Sequence, residues 1–274
     1  MDKESINNSL EIKKTFILTG IICVGSSLLL SFTALLLKPI QDRSIEFDKN
    51  KELLIAARII DREGSLIGDN SNKPTTEKEI LNIIQSRILT RLVDEEGNLR
   101  TFQESGLQEK EYLELGERIG FHSLPKKLIY LLLPPPEKNS RQPEAFIIPV
   151  RGKGLWGPME GYLCLEEDCN TVRGVTWHKH QETPGLGSFI SDPKWQSRLI
   201  GKKIFLVKGG EHSPLGLYVV QGGVENQLST STKKYSSVDG VSGATLTGIG
   251  VTQAYQTTLE AYRTFLMKQK DASR

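Results

Sequence analysis

Cysteine is nearly missing from this chain. Cys23, Cys164 and Cys169 are spread over 274 positions with no Cys-x-x-Cys and no Cys/His quartet at finger spacing, which excludes an iron–sulfur cluster or zinc finger built by this chain alone. Surplus charge is missing too. With 35 Lys and Arg against 33 Asp and Glu, net charge +2 and 7% aromatics, there is neither the basic field that neutralises a phosphate backbone nor an aromatic-plus-arginine stripe for stacking bases, and nucleic acid is excluded as a partner. No Gly-x-Gly-x-x-Gly both follows a strand pattern and opens a helix, so the chain lacks the usual dinucleotide fingerprint. What is left, 38% hydrophobic and 25% charged, is globular material for one or two domains, with no internal repeat.

One segment is of a different kind. "TFILTGIICVGSSLLLSFTALLL", residues 15–37, carries no charge and at about 23 residues is long enough to span a bilayer core as a helix. It is longer than the apolar core of a secretory signal and exits through "LLLKPIQDR", so cleavage is the weaker reading. Ile22 before Cys23 does not suit lipoprotein acylation. A membrane anchor, contacting lipid, is expected over 15–37, behind a short tail, 1–14. Lys3, Lys13 and Lys14 precede the span and Lys38, Arg43, Lys49 and Lys51 follow it, so the positive-inside rule does not choose an orientation.

Residues 38–65 predict a connecting amphipathic helix, with Leu53, Leu54, Ala57 and Ile60 on one face. "TEKEILNIIQSRILTRLVDEEG" predicts a second helix, with a Thr76/Glu79 capping box and Ile80, Ile83, Ile84, Ile88 and Leu92 on one face. Beyond it, polar and glycine-punctuated sequence and the proline run of "LLLPPPEK" make 66–144 a peripheral lobe or insertion. From Ala145 the pattern changes to strands: "AFIIPV", "MEGYLCL", "TVRGVTW", "KKIFLVK" and "LGLYVVQ" predict a largely antiparallel sheet. Val251, Tyr255, Leu259, Tyr262 and Leu266 then form the stripe of a C-terminal helix packed on that sheet. The domain runs over 145–268, with a tail at 269–274, and the fold class is α+β.

The stretch "DGVSGATLTGIG", residues 239–250, sets Ser242, Thr245 and bare glycine backbone at the entrance of that helix, where open amides and the positive end of the helix dipole favour an anion such as phosphate. The plain alternative is a turn and an N-cap. His178 and His180 alternate in a strand pattern, but without a third ligand they predict no metal site. Cys164 and Cys169 flank a turn and could face each other across a hairpin, with free thiols the default.

"DGVSGAT" resembles the D-x-x-S/T-G-A-T motif of the FMN-binding domain found in the C subunit of sodium-translocating NADH:quinone reductases and in the G subunit of Rnf complexes. "ETPGLG", residues 182–187, is similar to a second motif of that family, and "RGKGLWGPMEGYL" to its glycine–tryptophan hairpin. The resemblance covers the anchor and most of 145–268, and the length suits the C subunit of the reductase. It implies covalent FMN, joined by a phosphoester to Thr245 by a flavin transferase, with Ser242, Gly243 and Ala244 shaping the site and Asp239 serving transferase recognition. Glu182, Thr183, Leu186, Gly187 and Trp156 are further cofactor-binding candidates. By the same resemblance the chain is an electron-transfer subunit of a six-subunit sodium pump that oxidises NADH on another subunit and reduces quinone. It would lie in the bacterial inner membrane as a single-pass protein, its globular domain on the outer face. The Rnf subunit is the neighbouring alternative, and a flavin-free anchored binding or sensory module is the alternative of another class.

Overall fold

The computed structural model describes residues 3–68, 73–138, 142–205 and 214–272. Two compact units divide the chain, Met1–Asp48 and Lys49–Arg274. Helix α1 (Lys3–Ala56) begins in the first and ends in the second, and Pro39 lies inside it without ending it. In the first unit the apolar side chains from Phe16 to Leu37 are exposed. Hydroxyls of Ser27 and Thr33 within the run fold back onto the backbone, Ser27 donating to the Cys23 carbonyl at 2.8 Å and Thr33 to that of Leu29 at 2.8 Å, which satisfies these two groups without water. Among the described residues it is the one helix long and apolar enough to cross a membrane. The expected tail is helical backbone from Lys3 onward.

The second unit opens with the end of α1, where Leu53, Leu54 and Ala56 are buried. The predicted helix stops short of its expected end: Arg58 takes φ 55° and Ile60 pairs with Leu66 in a β-bridge. Helix α2 (Glu77–Arg87) starts on the expected capping box, the Thr76 amide donating to Glu79 at 2.7 Å and the Glu79 amide to the Thr76 hydroxyl at 3.4 Å. The helical pattern in the sequence extends beyond the helix itself, however. Ile88–Val93 is strand β1, because these residues pair in unbroken antiparallel register with Lys127–Leu132, from Ile88 opposite Leu132 to Val93 opposite Lys127. Long-range pairing outweighs a local 3.6-residue period where both are available.

Strand β2 (Leu99–Arg100), helices α3 (Phe102–Ser105) and α4 (Glu109–Ile119), and β3 (Lys127–Leu132) follow, then β4 (Ala145–Lys153), β5 (Pro158–Glu166) and β6 (Val172–Lys179). The sheet order is β2-β1-β3-β4-β5-β6, every pairing antiparallel. Residues 66–144, expected as a peripheral lobe or insertion, supply three of the six strands of the sheet. Their polar helices masked strands that are buried only because the rest of the sheet is there.

After α5 (Pro193–Ser197) the predicted strands shrink. Of "KKIFLVK", Lys203 and Phe205 make isolated bridges to Thr171 and Leu215, and its last three residues lie outside the described ones. "LGLYVVQ" contributes only β7 (Tyr218–Val220), which after α6 (Val224–Leu228) pairs in parallel, not antiparallel, with β8 (Ser237–Asp239). The C-terminal stripe is divided at Tyr262 between α7 (Thr245–Ala261) and α8 (Arg263–Ala272), and all five of its residues are buried. Helix α7 can lie close on the β4–β5 hairpin because glycines meet there: a Cβ at Gly250 would sit 2.2 Å from the Lys153 carbonyl, and one at Gly152 2.3 Å from the Ala254 Cβ. That contact delivers the start of α7 to the hairpin loop.

Candidate cofactor site

Three loops meet at the start of α7. The first is the turn before it. Gly243 takes φ 81°, which an L side chain would resist. Ala244 occupies the N-cap position with no side-chain cap, and Thr245 is the first helical residue. Ser242 and Thr245 are exposed. The plain N-cap role is thus unfilled: first-turn amides are left for water or a ligand, at the end of the helix that carries partial positive charge.

The second is the predicted "ETPGLG" loop. The Leu186 and Ser188 amides both donate to the Thr183 carbonyl at 3.1 Å, and the Gly185 amide donates to the Ser188 hydroxyl at 3.1 Å. These three amides are used to close the turn. Gly187 serves another purpose: a Cβ there would lie 2.6 Å from the Thr247 hydroxyl oxygen and 2.7 Å from Glu182 Oε2.

The third is the hairpin loop between β4 and β5. Trp156 is 65% exposed, its backbone amide donating to Glu182 Oε1 at 3.1 Å and its indole N–H to the Thr183 hydroxyl at 2.9 Å. The indole is therefore an exposed apolar plane held at its edge. Leu155, Leu186, Leu246 and Ile249 are exposed beside these motifs in sequence. Leu155 and Leu186 stand on the two loops and Leu246 and Ile249 on the first turns of α7, so apolar side chains are exposed on each of the three segments that meet here. An exposed hydroxyl at an uncapped helix start, with apolar faces on the neighbouring loops, fits a flavin phosphate and its ring.

Thr247 is a residue that the sequence motifs do not bring out. It is 1% exposed, and its hydroxyl donates to Glu182, itself 5% exposed. No periodicity signals this, because the two lie 65 residues apart. Gln221 is missed as well: its side chain fits against Gly240 and Gly248, where a Cβ would lie 2.6 Å and 3.0 Å from its amide nitrogen. Asp239 sits at the end of β8, its carboxylate accepting from the Val224 amide at 2.6 Å and its carbonyl from the Trp195 indole at 2.9 Å.

The remaining candidates have structural partners. His178 stacks on Tyr162 with centroids 5.1 Å apart, and burial pushes its imidazole down to about 4. His180 Nδ1 accepts from the Glu182 amide at 3.2 Å. Cys164 and Cys169 are both buried free thiols, raised by burial. Of the two, Cys169 belongs to the core under α7.

Known proteins are similar to this chain in sequence and in fold. The FMN-binding domain family matches residues 154–260, a span that begins at the hairpin loop and holds all three loops. The C subunit of the Na(+)-translocating NADH-quinone reductase of Chlamydia muridarum is 38% identical over 87% of this chain and 86% of that one. Its counterpart in Pseudomonas aeruginosa is 30% identical over 87% of each. Among solved structures, the corresponding protein of Parabacteroides distasonis superposes with a TM-score of 0.58 at 26% identity, covering 84% of this chain and 96% of that one. NqrC of Shewanella oneidensis gives 0.57 at 25%, covering 83% and 99%.

Proposed function

The chain belongs to the NqrC family, the C subunits of Na(+)-translocating NADH-quinone reductases, and from that premise we infer that it holds its FMN covalently, through a phosphoester on Thr245. It is an FMN electron-transfer subunit of that reductase, one part of an oxidoreductase and not a complete enzyme. Bound FMN supplies the chemistry, uptake and release of electrons; the protein contributes tethering and placement.

One observation carries the choice of residue. Thr245 is exposed at an uncapped helix start, whereas Thr247 is buried with its hydroxyl committed to Glu182. A flavin transferase acting on the folded chain reaches the first and not the second. Once attached, the phosphate meets the first-turn amides of α7, an interaction of about 0.3–1 kcal/mol at an exposed site. Ser242, Gly243 and Ala244 shape this turn, and Trp156 and Leu186 offer apolar faces to the ring. Relatives matched along most of the chain are NqrC proteins, which supports this reading over the Rnf alternative, and the FMN-binding match supports it over a flavin-free module.

The remainder of the reading concerns setting. Helix α1 anchors the chain once in the bacterial inner membrane with the domain on the outer face, among five further subunits, one of which binds NADH. Peptide mapping of the chain from its own membrane tests the site. FMN mass is expected on the tryptic fragment containing Thr245, retained in Thr247→Val and lost in Thr245→Val. Flavin on Thr247 or elsewhere overturns the assignment.

A further inference from the structure

Glu182 is a buried carboxylate that, among the described residues, has no ion-pair partner. Such a group is costly to keep unless its oxygens are satisfied. Here each oxygen accepts from a different element: Oε1 from the Trp156 amide of the hairpin loop at 3.1 Å, Oε2 from the Thr247 hydroxyl of α7. Room for it is made by glycine on both sides. A Cβ at Gly154 would lie 2.4 Å from Oε1, and one at Gly187 2.7 Å from Oε2. One carboxylate thus ties the hairpin loop, its own loop and the first turn of α7 into a single unit.

A flavin joined only through a phosphoester hangs on several freely rotating bonds. Its ring keeps one position only if the surface receiving it is fixed relative to the attachment point. Thr247 stands two residues after Thr245 in the same helical turn, and Trp156 is pinned at its backbone by Glu182 and at its indole by the adjacent Thr183. We propose that Glu182 is a positioning residue for the flavin: it does not touch the cofactor but fixes the helix start that carries Thr245 against the loop that carries Trp156. The inference rests on Thr245 as the attachment point. It assigns Glu182 a role other than direct contact with the ring, and assigns Thr247 to the same linkage.

The test uses the full-length flavinylated chain in detergent, reading FMN mass, far-UV circular dichroism, steady-state anisotropy of the flavin fluorescence and the flavin's visible circular dichroism. Glu182→Ala and Thr247→Val are each expected to keep the FMN mass and the secondary structure while losing anisotropy and the visible dichroic bands. Their combination should lose no more than Glu182→Ala alone, because that change already removes the link to Thr247. Glu182→Gln should restore the signals, since its amide can accept from Trp156 and donate to Thr247. Unchanged anisotropy and visible dichroism in Glu182→Ala overturns the proposal. Should Glu182→Ala not fold, Thr247→Val decides alone by the same two readouts, as it keeps side-chain shape. Absence of FMN mass at Thr245 in the unmodified chain overturns the attachment site and this proposal with it, whereas FMN at Thr245 with an indifferent Glu182→Ala overturns the proposal alone.

Discussion

The indole N–H of Trp177 donates to the hydroxyl of Tyr255 across 3.1 Å, and the two rings meet edge-on with centroids 5.5 Å apart. Both side chains are fully buried, so this is the polar stitch between β6 and α7 beneath the site. Tyr255→Phe keeps the ring contact and leaves a buried indole N–H without a partner, a change expected to cost about 1–3 kcal/mol. Thermal unfolding of the full-length chain should show the loss. An unchanged Tm would mean that the N–H finds another acceptor.

His178 gives stability a pH dependence of its own. Burial, with Lys49, Lys179 and Arg62 nearby, lowers its pKa from 6.5 to about 4. The unfolded chain therefore takes up this proton first as pH falls. The contribution of the neutral imidazole is complete above the unfolded value and is lost as pH drops through the window between about 6.5 and 4. His178→Phe, which keeps an aromatic ring against Tyr162, should flatten the decline in stability across that window relative to the unmodified chain. Denaturant titrations at several pH values would show it, and parallel curves would assign the decline to carboxylates alone.

Asp239 separates structural support from recognition. Asparagine keeps an oxygen that can accept from the Val224 amide, while alanine removes it. Asp239→Asn is expected to fold as the unmodified chain does yet incorporate less FMN, and Asp239→Ala to lose both some stability and some flavin. Intact mass after expression with the transferase measures incorporation. Full loading of the asparagine variant would reduce Asp239 to a turn residue.

The division of the chain at Lys49 predicts that a chain beginning at Arg43 is soluble and folded without detergent, because the long apolar run is then absent. Made without a flavin transferase it should be colourless. Covalent flavin in such a preparation would contradict an enzyme-dependent attachment.

Orientation can be read directly. With one cysteine introduced near Ala272 and the natural three replaced, a membrane-impermeant thiol reagent should label intact cells whose outer membrane has been made permeable. Labelling only after full lysis would place Thr245 on the cytoplasmic side.

How much of this was written in the chain depends on the reach of the forces involved. The anchor, the α2 capping box, strands β4 to β6 and the stripe from Val251 to Leu266 are local patterns, and periodicity alone determined them, as the "DGVSGAT" and "ETPGLG" motifs determined the family. Pairing decided the rest. Ile88–Val93 is a strand because Lys127–Leu132 lies beside it, and Tyr218–Val220 runs parallel to its partner because a helix intervenes before Ser237. The site divides in the same way. Sequence brought out Thr245, Trp156 and Glu182 one at a time, in separate motifs. Only the close approach of glycine backbones, Gly250 to Lys153 and Gly187 to Thr247, brings them to one place, and only burial decides that of two threonines two residues apart, one hydroxyl faces solvent and the other is spent on a carboxylate 65 residues away.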